Sequence, residues 1–276
     1  VLNRLSARCG TAQAVHADRK EKLCRFRLKV QNFTDNGFLG NNQEFDCIKD
    51  QIRAQVYTLE LPYHSTQKQT CTTSFKNINE WLNSEINKLK INDYVLYGYS
   101  LGGRIVCSYL ANLNNFENRL KGVILESCNF GPHNYQERKN RYSTDLKWAL
   151  KFVNEKQRKC LSDWYDQQIF KNLSIKQKEE LINKRMNFNK ENIANAITNF
   201  SFSKMKNCNS LLQQANIPIL YINGQYDDKY KNISIKLQKF NNKNVITKQI
   251  SNAGHNCHYE QPKEITNLIN DFIKNL

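Results

Sequence analysis

Residues Tyr94 to Val106 read YVLYGYSLGGRIV. The first six are aromatic, β-branched or apolar in the manner of a buried strand, and the apolar pattern resumes after Ser100 as the start of a helix. Gly98, Ser100 and Gly102 satisfy G-x-S-x-G at that junction, where a serine is carried on a sharp, strained turn. Glycine flanks let neighbouring backbone approach, so the hydroxyl of Ser100 stands free. The helix from Leu101 points its first amides at the same space, a setting that favours negative charge. Arg104 follows one helical turn later and adds a cation.

Similar short runs recur at 25–33, 55–61, 122–127, 217–224 and 244–250. Most are separated by segments with apolar residues three and four apart, such as FKNINEWLNSEINKL and EITNLINDFIKNL. Strand and helix in alternation predict an α/β fold, a mostly parallel sheet flanked by helices. The alternation stops between about residues 129 and 209, where helical patterns follow one another without a strand. This segment is expected to be a helical lid inserted over the strand C-terminal ends, where open α/β sheets bind ligands.

A serine on such a turn needs an acid and a base later in the chain. Asp227 follows the run 217–224 and His255 follows 244–250, both at expected strand C-terminal ends. Ser100, Asp227 and His255 are therefore the candidate catalytic set, with His255 holding the serine proton and Asp227 orienting the imidazole. Asp228 is the alternative acid, and His258 a structural neighbour of the base. The oxyanion donors are expected at the N–H groups of Leu101 and of Phe38, the latter in the loop NGFLG at Asn36 to Gly40. The histidines show no metal-ligand spacing, so no metal is expected.

Composition narrows the partners. The chain of 276 residues has a net charge of +16, but its lysines are spread out and not interleaved with aromatics in a block, which argues against nucleic acid and for an anionic small molecule. Mean hydropathy is -0.71, and no apolar run approaches the roughly 20 residues of a membrane span, so membrane insertion is not expected. The nine cysteines are scattered, without a CxxC pair, as reduced thiols would be. Residues 1–24 are basic and acid-poor, an N-terminal extension that is either disordered or the remnant of a targeting segment. The expected location is the cytoplasm, or a plastid in the second case, and the domain proper spans 25–276.

The residues also resemble a known family. GYSLGGR (98–104), GVILE (122–126), ERKNRYSTD (137–145), SDWYDQQIF (162–170), KRMNFN (184–189), GQYDDKY (224–230) and AGHNCHYE (253–260) are similar, in order and approximate spacing, to the 2-succinyl-6-hydroxy-2,4-cyclohexadiene-1-carboxylate synthases of menaquinone and phylloquinone biosynthesis. That resemblance implies an α/β-hydrolase fold and a carbon–oxygen lyase that eliminates pyruvate without a metal or organic cofactor. It further implies a substrate pocket of Arg104, Arg138, Arg141 and Arg185, lined by Tyr99 and Trp164. Arginines suit such a substrate because each planar fork binds a carboxylate bidentately. The chain departs from the family at Asn36, at Tyr63 in LPYHS and at Gln168 in the lid segment.

Two other readings use the same serine motif. A carboxylesterase or thioesterase would employ Ser100 as a covalent nucleophile, and a binding protein of the same fold would not employ it at all. The arginines favour the lyase over a neutral ester, and the intact Ser100, Asp227 and His255 argue against a purely binding role.

Overall fold

The computed structural model describes residues 37–41, 43–64, 72–113 and 119–276. The extension at 1–24, the expected strand at 25–33 and Asn36 lie outside the described residues. Four strands form one parallel sheet in the order β1 (Tyr94–Tyr99), β2 (Leu120–Glu126), β3 (Ile219–Gly224) and β4 (Val245–Ile250). Parallel neighbours require crossovers. Between β1 and β2 runs α3 (Leu101–Asn112), and between β3 and β4 runs α9 (Asp228–Gln238). Ahead of β1 lie the short α1 (Asp46–Lys49) and α2 (Phe75–Lys88), and after β4 come α10 (Cys257–Glu260) and α11 (Pro262–Lys274).

Side chains alternate across each strand, as a pleated backbone requires. Tyr94, Leu96, Val123, Leu125, Ile219 and Tyr221 face one apolar cluster with α2 and α3. Val95, Tyr97, Tyr99, Ile124, Leu220 and Ile222 face another, closed by α11 through Ile265, Ile269, Phe272 and Ile273. Those positions recur at helical intervals, so one face of α11 is buried, each side chain contributing about 1.5–3 kcal/mol. The run 55–61 packs against both clusters. It keeps the two-sided pattern, with Val56 against the second cluster and Tyr57, Leu59 and Leu61 against the first, yet it makes no ladder with a described strand.

From β2 to β3 the chain is helical: α4 (Tyr135–Asn154), α5 (Gln157–Tyr165), a single turn at Gln168–Phe170, α6 (Ile175–Lys184), α7 (Lys190–Asn199), a turn at Phe202–Lys204 and α8 (Asn209–Gln213). Polar caps start these helices. Asn134 accepts from Glu137 N–H, Asn189 from Asn192 N–H, and Ser174 forms a reciprocal box with Gln177. The inserted helices bury a cluster of their own, including Phe152, Leu161, Trp164, Tyr165 and Ile182. Phe38 joins it to the body, its ring centroid 4.8 Å from Trp164 and 5.6 Å from Phe152. Among the described residues no helix is long and apolar enough to cross a membrane.

Candidate active site

The four strands end level with one another, and each delivers a residue to the same edge. Ser100 follows β1 with φ of 51°, the strained left-handed conformation that lifts its side chain out of the sheet. Its N–H donates to the carbonyl of Glu126 at the end of β2 (2.9 Å). A Cβ on Gly98 would stand 2.6 Å from Gly103 Cα, and one on Gly103 would stand 2.5 Å from Cys128 Cβ. The glycines that this turn needs for close packing therefore include Gly103, which the five-residue motif omits.

Asp227 and His255 are brought together by their loops. Tyr226 N–H donates to Ala253 O and Gln225 N–H to Ile250 O, each at 2.9 Å. Gly224 makes the approach possible, because a Cβ there would lie 2.0 Å from Gly254 O. Gly224→Ala is accordingly expected to cost at least about 1–3 kcal/mol of stability, read by thermal or urea unfolding. Unchanged stability would contradict this role for the glycine.

The result is a hydrogen-bonded relay. His255 Nδ1 lies 2.7 Å from Asp227 Oδ2, and His255 Nε2 lies 3.1 Å from Ser100 Oγ. Asp227 and His255 are both buried, at 4% and 3% exposure, while Ser100 is half-buried and open to a cavity. Asp228 points away, its side chain 77% exposed and 3.5 Å from Lys171 Nζ, so the alternative acid is not in contact with the base. Rings of Tyr99, Phe170 and Tyr230 surround the imidazole, with centroids 5.0–5.7 Å away. They leave His255 little freedom to turn from the serine.

Leu101 opens α3, where the first amides have no carbonyl within the helix, and it lines the chamber at Ser100 together with Phe38. Gly37 precedes Phe38 for a steric reason: a Cβ would sit 2.4 Å from Tyr99 Cε1. Tyr99 is held in turn by its hydroxyl donating to Asn256 Oδ1 at 2.7 Å. Trp164 lines the same chamber from α5.

The arginines divide. Arg104 lines the chamber, anchored by one hydrogen bond to Phe200 O (3.1 Å), and has no carboxylate at ion-pair distance among the described residues. Its removal from water and then its neighbour Arg141 bring it down to about 10, still fully charged at neutral pH. Arg141 also lines the chamber, its Nε 2.8 Å from Asp145 Oδ1, while Ser201 Oγ donates to the other oxygen of that carboxylate at 2.6 Å. Arg138 and Arg185 stand apart from this wall. Arg138 donates to the carbonyls of Ser203 and Met205 and does not line the chamber. Arg185 borders a small recess beside Ser100, but Glu44 holds it bidentately, and it also donates to Leu39 O (3.1 Å) and the Tyr165 hydroxyl. Its charge is already matched inside the protein.

Two groups of functional weight go beyond the sequence reading, which placed His258 only as a neighbour of the base. Lys229, on the first turn of α9, lines the chamber beside Arg104 and Arg141. Partial desolvation, then Arg141 and Arg104, pull its ammonium down to about 8. The quoted GQYDDKY contains it, two residues beyond the acid, so the signal was present. The second group lies below the site, where His258 Nδ1 is 2.9 Å from Glu126 Oε1 and Nε2 is 3.6 Å from Glu44 Oε1. Tyr97 donates its hydroxyl to Glu126. These residues are up to 214 positions apart in sequence, as Glu44 and His258 show, and no local pattern links them.

A serine relay at the strand ends of a parallel sheet, under a helical insertion, defines an α/β-hydrolase class of enzyme. The alpha/beta hydrolase fold profile matches residues 36–262. Within that class the chain belongs to the 2-succinyl-6-hydroxy-2,4-cyclohexadiene-1-carboxylate synthase family. A Haemophilus influenzae protein provisionally given that name is 31% identical over 240 residues, covering 86% of this chain and 95% of its own. The Klebsiella pneumoniae synthase is 29% identical over 83% of this chain and 88% of its own. The structure of MenH from S. aureus superposes with a TM-score of 0.82 at 25% identity, covering 90% of this chain and 94% of that one.

Proposed function

We propose that this enzyme eliminates pyruvate from 2-succinyl-5-enolpyruvyl-6-hydroxy-3-cyclohexene-1-carboxylate, giving 2-succinyl-6-hydroxy-2,4-cyclohexadiene-1-carboxylate in menaquinone or phylloquinone biosynthesis. The observation that carries this reading is the relay of Ser100, His255 and Asp227 opening onto a wall of Arg104, Arg141 and Lys229. A neutral ester has no use for such a wall, whereas this substrate brings a carboxylate on the ring, on the succinyl arm and on the enolpyruvyl group.

The ring proton next to the succinyl ketone is the acidic one. Ser100 Oγ removes it while passing its own proton to His255 Nε2, and Asp227 stabilises the imidazolium through Nδ1–H. Charge moves onto the ketone oxygen, where the amides of Leu101 and Phe38 receive it. The electrons then return through the ring double bond and break the carbon–oxygen bond to enolpyruvate. The departing enolate takes up the proton held by His255 and becomes pyruvate, and Ser100 keeps the proton it took from the ring. Two conjugated ring double bonds remain.

Pyruvate release, followed through lactate dehydrogenase, tests the reading against the esterase alternative. Steady release from the cyclohexene substrate, with slow hydrolysis of a nitrophenyl ester, is expected. Fast ester hydrolysis without pyruvate would reverse the assignment.

A further inference from the structure

The chamber at Ser100 encloses only about 70 Å³, below the few hundred Å³ that ligand sites generally offer. Next to it lies a cavity of about 430 Å³ between α4 and α9, and the two share Asn129, Arg141 and Lys229. The large cavity holds no part of the relay. It is cationic toward the shared wall, with Lys236 also lining it and Glu137 as its acidic member. Lys229 has no carboxylate at ion-pair distance among the described residues, and Asp227 is committed to His255. Its Nζ lies 5.1 Å from the centroid of the Tyr230 ring. Like charges gathered at one wall repel one another, and an anion laid between them removes that cost.

We propose that the substrate straddles this wall, with its reacting ring in the chamber at Ser100 and one carboxylate arm in the larger cavity, where Lys229 binds the carboxylate. This rests on the tricarboxylate substrate inferred above. The chamber alone is too small for a ring with three acidic substituents, and the shared wall is the side on which a larger space adjoins it. Lys229 thereby acts as a binding residue for the remote arm and takes no part in proton transfer.

Steady-state pyruvate release by three variants tests the proposal. Lys229→Met is expected to raise KM by about 10- to 100-fold, the loss of a charge-assisted hydrogen bond, while kcat stays within a few-fold. Lys229→Arg keeps the charge and should hold KM near the wild-type value. Asn232→Trp, on the exposed face of α9 that lines the larger cavity, fills the space for the arm and should raise KM about tenfold. KM within about twofold of wild type in Lys229→Met or Asn232→Trp overturns the proposal, as does an Arg variant no better than Met. Should wild-type enzyme release no pyruvate, the functional reading fails by itself, and succinate titrated calorimetrically becomes the probe. Binding at least tenfold weaker in Lys229→Met then supports the site; equal binding, or none by wild type, overturns it.

Discussion

Ser100→Ala is expected to lower kcat for pyruvate release by about 10³- to 10⁴-fold, with KM close to wild type. In the proposed step the serine is the group that takes the ring proton, while Arg104 and Arg141 line the chamber independently of it. Folding should be unaffected, since the Ser100 N–H bond to Glu126 O belongs to the backbone and survives the change. A variant with the wild-type melting curve and undiminished release would remove Ser100 from the chemistry. Conversely, a parallel rise in KM would mean that the hydroxyl chiefly binds the substrate.

The second large effect concerns stability. Glu44→Ala strips the carboxylate from Arg185 and from one side of His258, both buried, leaving positive charge without its partner. Breaking a buried pair from one side costs about 3–5 kcal/mol, or roughly 10 °C in Tm for a domain of this size. Glu44→Met with Arg185→Met should recover much of the loss, because the pair is then replaced by apolar volume.

The same network sets a pH window. Burial alone would raise Glu44, but Arg185 and then His258 outweigh it and hold the carboxyl at about 2 against an ordinary 4.5. Its contribution is complete above 4.5 and drains away as pH falls toward 2. Burial opposes a charged His258, yet Glu126 and Glu44 prevail and push it up to about 10 from 6.5. That contribution is complete below 6.5 and is lost as pH rises toward 10. Melting across pH should show both groups contributing fully only between 4.5 and 6.5, with the acid limb shallower in Glu44→Ala. An acid limb unchanged by the substitution would contradict the assignment to Glu44.

Local patterns carried the parts of the site that are local. Ser100 is set by neighbouring glycines, and Asp227 and His255 each follow a strand-like run, so their common edge was legible from alternation alone. The fold class rested on the same alternation and agrees with the four-stranded parallel sheet. Partner choice was not legible. Nothing near Arg185 in sequence announces Glu44, 141 residues away, and nothing near Arg138 announces the carbonyls of Ser203 and Met205. An arginine read in isolation looks like a free cation, and only the tertiary contacts show which charges are already matched. Lys229 illustrates the opposite case, a surface-looking lysine in a quoted motif that the fold turns toward two arginines.

The claim that Ser100 and His255 remove a ring proton to expel pyruvate meets its most direct test in a single-turnover experiment with deuterium on the ring carbon beside the succinyl ketone. Slower pyruvate release is expected from the labelled substrate than from the unlabelled one, with no covalent adduct on Ser100 by mass spectrometry. Equal rates together with an acylated Ser100 would contradict it and place the serine as a nucleophile.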